Sequence, residues 1–282
     1  MPELPEVETI ARGLNRRVAG DVVESVWLGE KPEPLKSPAK EIASVLERAR
    51  IAGVRRVGKH IVFDLELPSR NGRKSRMTRG QWIVHLGMTG RLLIATPEVE
   101  MAKHTHAVLK LASGRELHFV DPRRFGRLAV VRMESSSAPG FAAPGEEPLG
   151  SQTERFVTLF RGRKTPIKSA LLNQRLLRGV GNIYADESLF RAGVRPRRRA
   201  ASITHEQWRR LYLSIQEVLN EAIALGGSSV SDYVNADGQE GFFQLQHRVY
   251  GREGEPCLVC KTPIKRVVIA GRSSHYCRKC QQ

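Results

Sequence analysis

The sequence predicts an α+β protein of two domains: an N-terminal helix with a β-rich first part, and a helical second part closed by a metal finger. Three observations carry this. Apolar residues first recur at helical spacing and then switch to short alternating runs up to about residue 133. A stretch rich in Ser, Pro and Gly, 134–151, then separates these runs from longer helical patterns. All four cysteines fall at the C-terminal end, as Cys257-Leu-Val-Cys260 and Cys277-Arg-Lys-Cys280. The expected division is a first domain over 1–133, a linker over 134–151, a helical domain over 152–240 and a finger over 241–282.

Taken in order, Val7, Ile10, Ala11, Leu14 and Val18 share one helical face, and Pro5 suits the first turn. Alternating runs follow at Ile51–Val57, His60–Leu67, Trp82–Leu86, Arg91–Ala95, His106–Leu111, Leu117–Val120 and Leu128–Val131. Many short strands with turn signals between them indicate a β-sandwich or barrel. The basic stretch Pro68–Gly80 interrupts them and reads as a mobile, solvated hairpin tip. After the linker come helical patterns at Thr153–Phe160, Pro166–Asn173, Asn182–Ala192 and Thr204–Leu225, the last stopped by Gly226-Gly227. Residues 228–240 are polar and Gly-containing and read as a flexible loop. The cysteine element reads as a β-hairpin, and no internal repeat is present.

The chain has 282 residues, with 46 Lys plus Arg against 29 Asp plus Glu and a net charge of +17. That excess calls for a polyanionic partner, with nucleic acid favoured over a membrane surface. No apolar run approaches the ~18 residues of a membrane span, and the start lacks a signal-peptide pattern. The expectation is a soluble, cytoplasmic protein. Paired C-x2-C turns each aim two thiolates at one ion, and two turns complete a tetrahedron. Four thiolates leave no open position for water, so a bound Zn2+ here is structural. Disulfides are disfavoured in a cytosolic chain.

The first residues, Met1-Pro2-Glu3-Leu4-Pro5-Glu6-Val7-Glu8-Thr9, carry the chemistry. Removal of Met1 leaves Pro2 as a secondary amine. An α-amine ionises near ~8, so a useful fraction is unprotonated at neutral pH. Condensed with an aldehyde carbon it gives a cationic iminium, an electron sink. Glu3 stands beside it as an acid or base. Many chains begin Met-Pro, and Glu also favours a helix start, so these residues by themselves decide nothing.

The whole set of motifs decides more. The opening nonapeptide is joined by Gly58-Lys59 before a strand, His85-Leu-Gly-Met-Thr-Gly-Arg91, Lys103-His104 and Asp121-Pro-Arg-Arg-Phe-Gly126. Gly179-Val-Gly-Asn-Ile-Tyr-Ala185 and the four-Cys finger complete it. In this order, nearly end to end, the chain resembles the bacterial formamidopyrimidine-DNA glycosylases, base-excision enzymes for oxidised purines. The related endonuclease VIII group, directed at oxidised pyrimidines, usually has Gly where this chain has Leu4.

The resemblance implies a β-sandwich first domain and a helix-two-turn-helix around Gly179–Ala185. It implies a monomer acting on double-stranded DNA with oxidised bases, and a glycosylase that is also a lyase. Pro2 attacks C1′ and displaces the base, Glu3 shuttles protons, and β- then δ-elimination cuts the strand. Lys59 is implied as phosphate contact and proton donor for β-elimination. Arg272, in Gly271-Arg272-Ser-Ser-His-Tyr-Cys277, matches the finger arginine assigned to δ-elimination. Arginine hardly ionises, so phosphate clamping fits it better than acid catalysis. Met88, Arg123 and Phe125 match the trio that fills the hole left by an extruded base. His104, Arg123, Arg163 and Asn182 match DNA contacts, joined by Lys168 and Arg272. Cys257, Cys260, Cys277 and Cys280 hold the zinc.

Glu6 is read as a supporting carboxylate or as a simple dipole complement. Glu187 is read as a base-recognition or support residue, or as one facing solvent. The loop after Gly227 matches the region that closes over the flipped base. Departures from the family pattern are modest. The Pro68–Gly80 loop is longer and more basic, Arg163 stands where lysine is common, and no proline follows Cys277. A non-catalytic DNA-binding zinc protein is the contrasting reading, against which Pro2, Glu3 and Lys59 stand together.

Overall fold

The computed structural model describes residues 1–68, 78–133, 138–230 and 233–282. The central part of the expected basic loop (69–77), the start of the expected linker (134–137) and Ser231 and Asp232 of the expected lesion loop lie outside the described residues. Two compact units emerge. The first comprises 1–2, 6–142 and 228–241; the second comprises 3–5, 143–227 and 242–282.

The N-terminal helix α1 spans Leu4–Val18, followed by β1 (Val23–Leu28), α2 (Ala39–Leu46), β2 (Arg50–Val57) and β3 (His60–Leu67). Strands β4 (Thr78–His85), β5 (Arg91–Ala95), β6 (Thr105–Leu111), β7 (Glu116–Val120) and β8 (Arg127–Met133) complete the first unit's elements. They form two four-stranded antiparallel sheets, ordered β1-β6-β7-β5 and β2-β3-β4-β8. One core joins them: Leu92, Leu109, Leu117 and Phe119 of the first sheet lie in the same apolar cluster as Val54, Phe63, Trp82 and Val84 of the second. That is a sandwich, and the α1 face of Val7, Ile10, Ala11, Leu14 and Val18 belongs to the same cluster. Strand β1 and helix α2 are not among the expected elements: a register shift between Val23 and Ser25 breaks the alternation of β1, and α2, with Ile42, Val45 and Leu46 on one buried face, spans only 8 residues.

The second unit contains α3 (Thr153–Phe160), α4 (Ile167–Leu171), α5 (Asn182–Arg191) and α6 (His205–Ala224), then the hairpin of β9 (Lys265–Ile269) and β10 (Arg272–Tyr276). Helix α6 begins at a capping box, in which Thr204 accepts from the Gln207 amide and the Gln207 side chain accepts from the Thr204 amide. It ends before Gly226 and Gly227, both at positive φ (76° and 88°). Phe156, Phe160, Trp208 and Tyr212 stack into its core, with Leu4 from the N-terminal segment. No helix among the described residues is long and apolar enough to cross a membrane.

Candidate active site and nucleic-acid interface

In the first unit, Pro2 is buried and Met1 before it is 49% exposed. With Met1 in place the Pro2 nitrogen is an amide. Lys59 sits in the two-residue turn Gly58-Lys59 between β2 and β3, where Val57 pairs with His60. Gly58 has φ 61°, which fits the first position of a type II′ hairpin. Lys59 is nonetheless 8% exposed. Arg56 braces this turn: its Nε donates to Glu8 Oε2 of α1 at 2.7 Å and its Nη1 to the Gly58 carbonyl at 3.2 Å. Helix α1, which follows Pro2 in the chain, and the turn that carries Lys59 are thereby tied to one guanidinium.

Near Lys59 stand His60 and His85, with ring centres 4.9 Å apart. Burial lowers the pKa of His85 to about 4, helped by the neighbouring charges of His60, Arg127 and Lys59. The ring is neutral at pH 7, and its Nδ1 accepts from the Gly87 amide at 3.0 Å. That bond sets the start of the turn bearing Met88. Met88 is 42% exposed and Phe125 52% exposed, which suits side chains that leave the protein for a base stack. The Arg123 guanidinium lies 4.8 Å from the Phe125 ring centre. A cleft of about 450 Å³ lies beside them, lined by Glu33, Lys36, Arg123, Arg124, Phe125, Gly126 and Arg127. His104 is exposed and holds a left-handed φ of 71°.

In the second unit, the N-terminal segment docks on the turn before α5. The Leu4 amide donates to the Gly179 carbonyl at 3.0 Å. Glu3 is 5% exposed, and its Oε1 accepts from the Ile183 amide at 3.3 Å, in the first turn of α5. A helix N-terminus favours a carboxylate there. Gly181 leaves the room: a Cβ on it would meet the Glu3 carboxyl carbon at 2.2 Å. Gly179 has φ 89°, and a Cβ on it would meet the Leu4 side chain at 2.8 Å. Gln174 fixes the turn by accepting from the Gly179 amide and donating to the Val180 carbonyl.

Asn182, partly buried, opens α5 and reaches Ser273 of β10 at 3.5 Å. Arg272 is exposed at the tip of the finger hairpin, directly after the turn Ala270-Gly271, whose φ values are 47° and 75°. Lys168 sits differently from a surface phosphate contact. It is 0% exposed, its Nζ lies 2.6 Å from Asp186 Oδ1, and it donates to the Ser273 carbonyl at 2.6 Å. It links α4, α5 and the finger hairpin. Burial lowers its pKa, against the raising effect of Asp186. Arg163 is exposed after α3, with its Nε on the Leu159 carbonyl.

Glu187 neither faces solvent nor reaches outward. It is 0% exposed and accepts from the amides of Arg248, Val249 and Tyr250 at 2.8 to 3.0 Å. It shapes the turn that presents Tyr250, whose phenol pKa burial raises against the lowering effect of Asn182. Tyr250 stands apart from every motif of the sequence, and Asp186, although it directly follows Gly179–Ala185, takes its role from a partner distant in the chain, Lys168. Glu6 does more than complement a dipole: at 2% exposure its Oε1 accepts from the Ser228 amide at 2.8 Å.

The four cysteine sulfurs lie within 4.8 Å of one another, with Cys257–Cys280 at 3.9 Å and Cys260–Cys277 at 3.4 Å. A tetrahedral zinc with Zn–S bonds of ~2.3 Å needs sulfurs about 3.8 Å apart, so the set fits one closed structural ion.

Models of known families match three consecutive parts of the chain. Residues 1–128 match the formamidopyrimidine-DNA glycosylase N-terminal domain, and 145–234 its H2TH domain. Residues 254–282 match a zinc finger found in FPG and IleRS. The formamidopyrimidine-DNA glycosylase of Solibacter usitatus is 46% identical, with 100% of each chain covered. That of Thermus thermophilus is 45% identical, over 100% of this chain and 98% of its own. Among solved structures, the MutM (Fpg) protein from Thermus thermophilus superposes with a TM-score of 0.82 at 43% identity, covering 99% of this chain and 98% of its own. The Lactococcus lactis Fpg (MutM) bound to DNA containing N7-benzyl-Fapy-dG gives 0.86 at 31% identity, with 100% of both chains covered.

The first unit's sandwich, the helical part and the four-thiolate finger are thus matched along the length of the chain. The chain belongs to the formamidopyrimidine-DNA glycosylase family, DNA glycosylases of DNA repair with a structural zinc finger.

Proposed function

We propose that this protein is a bifunctional DNA glycosylase and AP lyase that removes oxidised purines, 8-oxoguanine and formamidopyrimidines, from duplex DNA. The observation that carries the reading is the seat of Glu3: a buried carboxyl group, one residue from Pro2, held on the first turn of α5 where Gly181 makes room for it. Once Met1 is removed, the Pro2 nitrogen lone pair attacks C1′ and the base leaves with the glycosidic electron pair and a proton. Glu3 is the group placed to carry protons to and from the sugar as its ring opens to the iminium. The iminium then accepts the electrons of the C2′–H bond, the 3′ phosphate departs, and a second elimination releases the 5′ phosphate.

The other assignments rest on the positions of these residues in the family's motifs. Lys59 neutralises the phosphate that leaves in the first elimination, and Arg272 clamps phosphate from the finger tip. His104, Arg123, Arg163 and Asn182 bind the DNA backbone, Met88 and Phe125 enter the stack, and Arg123 meets the orphaned base. Lys168 acts through the finger, holding Ser273 next to Arg272. One chain carries every residue named, so the active unit is the monomer. Its place is the cytoplasm, consistent with four free cysteines grouped so that they can hold one metal ion.

Purines are favoured by relatives solved with Fapy-dG DNA and with carbocyclic 8-oxo-G DNA. Activity on oxidised pyrimidines is the second reading, because a Lactococcus lactis Fpg has been solved with oxidised-pyrimidine DNA. Borohydride trapping tests the mechanism. With an 8-oxoguanine·cytosine duplex, intact mass spectrometry should place one DNA adduct on Pro2, absent with undamaged DNA. An unmodified Pro2 in a processed protein that still binds lesion DNA would sink the lyase reading. A lesion panel under single-turnover conditions ranks purines against pyrimidines.

A further inference from the structure

Two turns carry the residues read above as the wedge: Leu86–Gly90 with Met88, and Arg123–Gly126 with Phe125. Exposed side chains do not hold such turns together. A buried carboxyl group bridges the two. Asp121 is 0% exposed. Its Oδ1 accepts from Thr89 Oγ1, next to Met88, at 2.6 Å, and from the Arg123 amide at 3.3 Å. Its Oδ2 accepts from the Gly126 amide, next to Phe125, at 2.7 Å.

The backbone of Asp121 extends the same node. Its amide donates to the carbonyl of His104 at 3.0 Å, and its own carbonyl is bonded by the His106 ring at 3.0 Å and the Arg124 amide at 3.2 Å. His104 and Arg124 both hold left-handed φ, 71° and 58°. Non-glycine residues resist that region unless their surroundings over-determine it. Sterics point the same way. A Cβ on Gly87 would lie 2.6 Å from the Phe125 carbonyl carbon, so the two turns touch backbone to backbone.

We propose that Asp121 is the positioning residue of the wedge: it locks the Met88 turn, the Arg123–Phe125 turn and His104 into one preformed unit. Order set before DNA arrives need not be imposed during base extrusion. Thr89 is the side chain through which the Met88 turn joins this node. The inference rests on the wedge reading of Met88 and Phe125.

The test uses the full chain with Thr89→Val, Thr89→Ser and Phe125→Ala, plus Asp121→Asn where it folds. Three quantities are measured: 2-aminopurine fluorescence beside the lesion as a report of base extrusion, single-turnover excision of 8-oxoguanine, and cleavage of a duplex with a preformed abasic site. A hydrogen bond to a carboxylate is worth enough for about a tenfold effect. Thr89→Val should slow extrusion and excision by about that factor, and abasic-site cleavage, which has no base to extrude, by less than about twofold. Thr89→Ser should restore both. If Phe125→Ala slows extrusion but Thr89→Val does not, or slows all three measures alike, the role of Asp121 is overturned. If Phe125→Ala itself leaves extrusion unchanged, the wedge reading fails first, and the Asp121 inference falls with it.

Discussion

At the residue scale, Gly181 and Glu3 make one of the tight contacts of the second unit. A methyl group at Gly181 would overlap the Glu3 carboxyl group, which is the free end of a side chain and can swing aside. Folding should therefore survive Gly181→Ala while catalysis does not. General acid–base groups contribute about 10²- to 10⁴-fold, so excision should fall at least about tenfold, with a melting temperature close to the parent's; equal excision rates would remove Glu3 from the mechanism. Glu187 presents the opposite case, a carboxyl group whose work is structural. Burial raises its pKa while the amides of Tyr250, Val249 and Arg248 pull it down. Glu187→Gln turns an amide donor toward those amides. Losing a charged acceptor costs about 1.5 to 3 kcal/mol, and thermal unfolding should show it, together with weaker DNA binding as Tyr250 moves.

At the element scale, two braces set where the chemistry-bearing turns stand. Arg56 holds α1 and the Lys59 turn through Glu8. Burial alone would raise the pKa of Glu8, but the charges and hydrogen bonds of Arg56 and Arg12 outweigh it, and the pKa is lowered. A depressed carboxyl pKa gives stability that is present above the unfolded pKa and lost as pH falls through the folded one. Glu8→Gln should therefore flatten the acid side of the stability–pH profile below about pH 4.5, measured by denaturant unfolding across pH; an unchanged profile would contradict the brace. Beneath the finger hairpin, Lys168 faces Asp186 with both side chains buried. Removing one partner of such a pair costs about 3 to 5 kcal/mol. Lys168→Met should destabilise the helical unit by that order and lower DNA affinity through Arg272, whereas a surface phosphate contact would affect affinity alone. Stripping the zinc with a chelator should likewise remove Arg272 from the interface, seen as lost DNA binding that zinc restores.

At the scale of the whole molecule, a net charge of +17 predicts binding dominated by phosphate neutralisation. Each cationic contact contributes about −0.9 to the slope of log K against log salt, so Arg163→Gln should reduce the slope by about 1, with no change in lesion preference. The sequence alone was enough for the sandwich strands, the helices of the second unit, the finger and its four thiolates. Alternation, helical period and cysteine spacing are local properties that a buried core and a tetrahedral ion impose on the chain directly. It left out β1, whose alternation a register shift breaks, and α2, a helix of 8 residues, and it assigned no role to Asp121, Asp186, Tyr250, Arg56 or Gln174. Those residues act through partners distant in sequence or through backbone groups that carry no sequence signal. Lys168 meets Ser273 across 105 positions, and Glu6 meets Ser228 across 222. Only the tertiary structure could show that Lys168 is buried, that Glu187 shapes a turn, and that 228–241 packs with the first unit rather than with the helix it follows. Periodicity records which face of an element is apolar. Burial of a charge, and the choice of its partner, are settled only when distant segments meet.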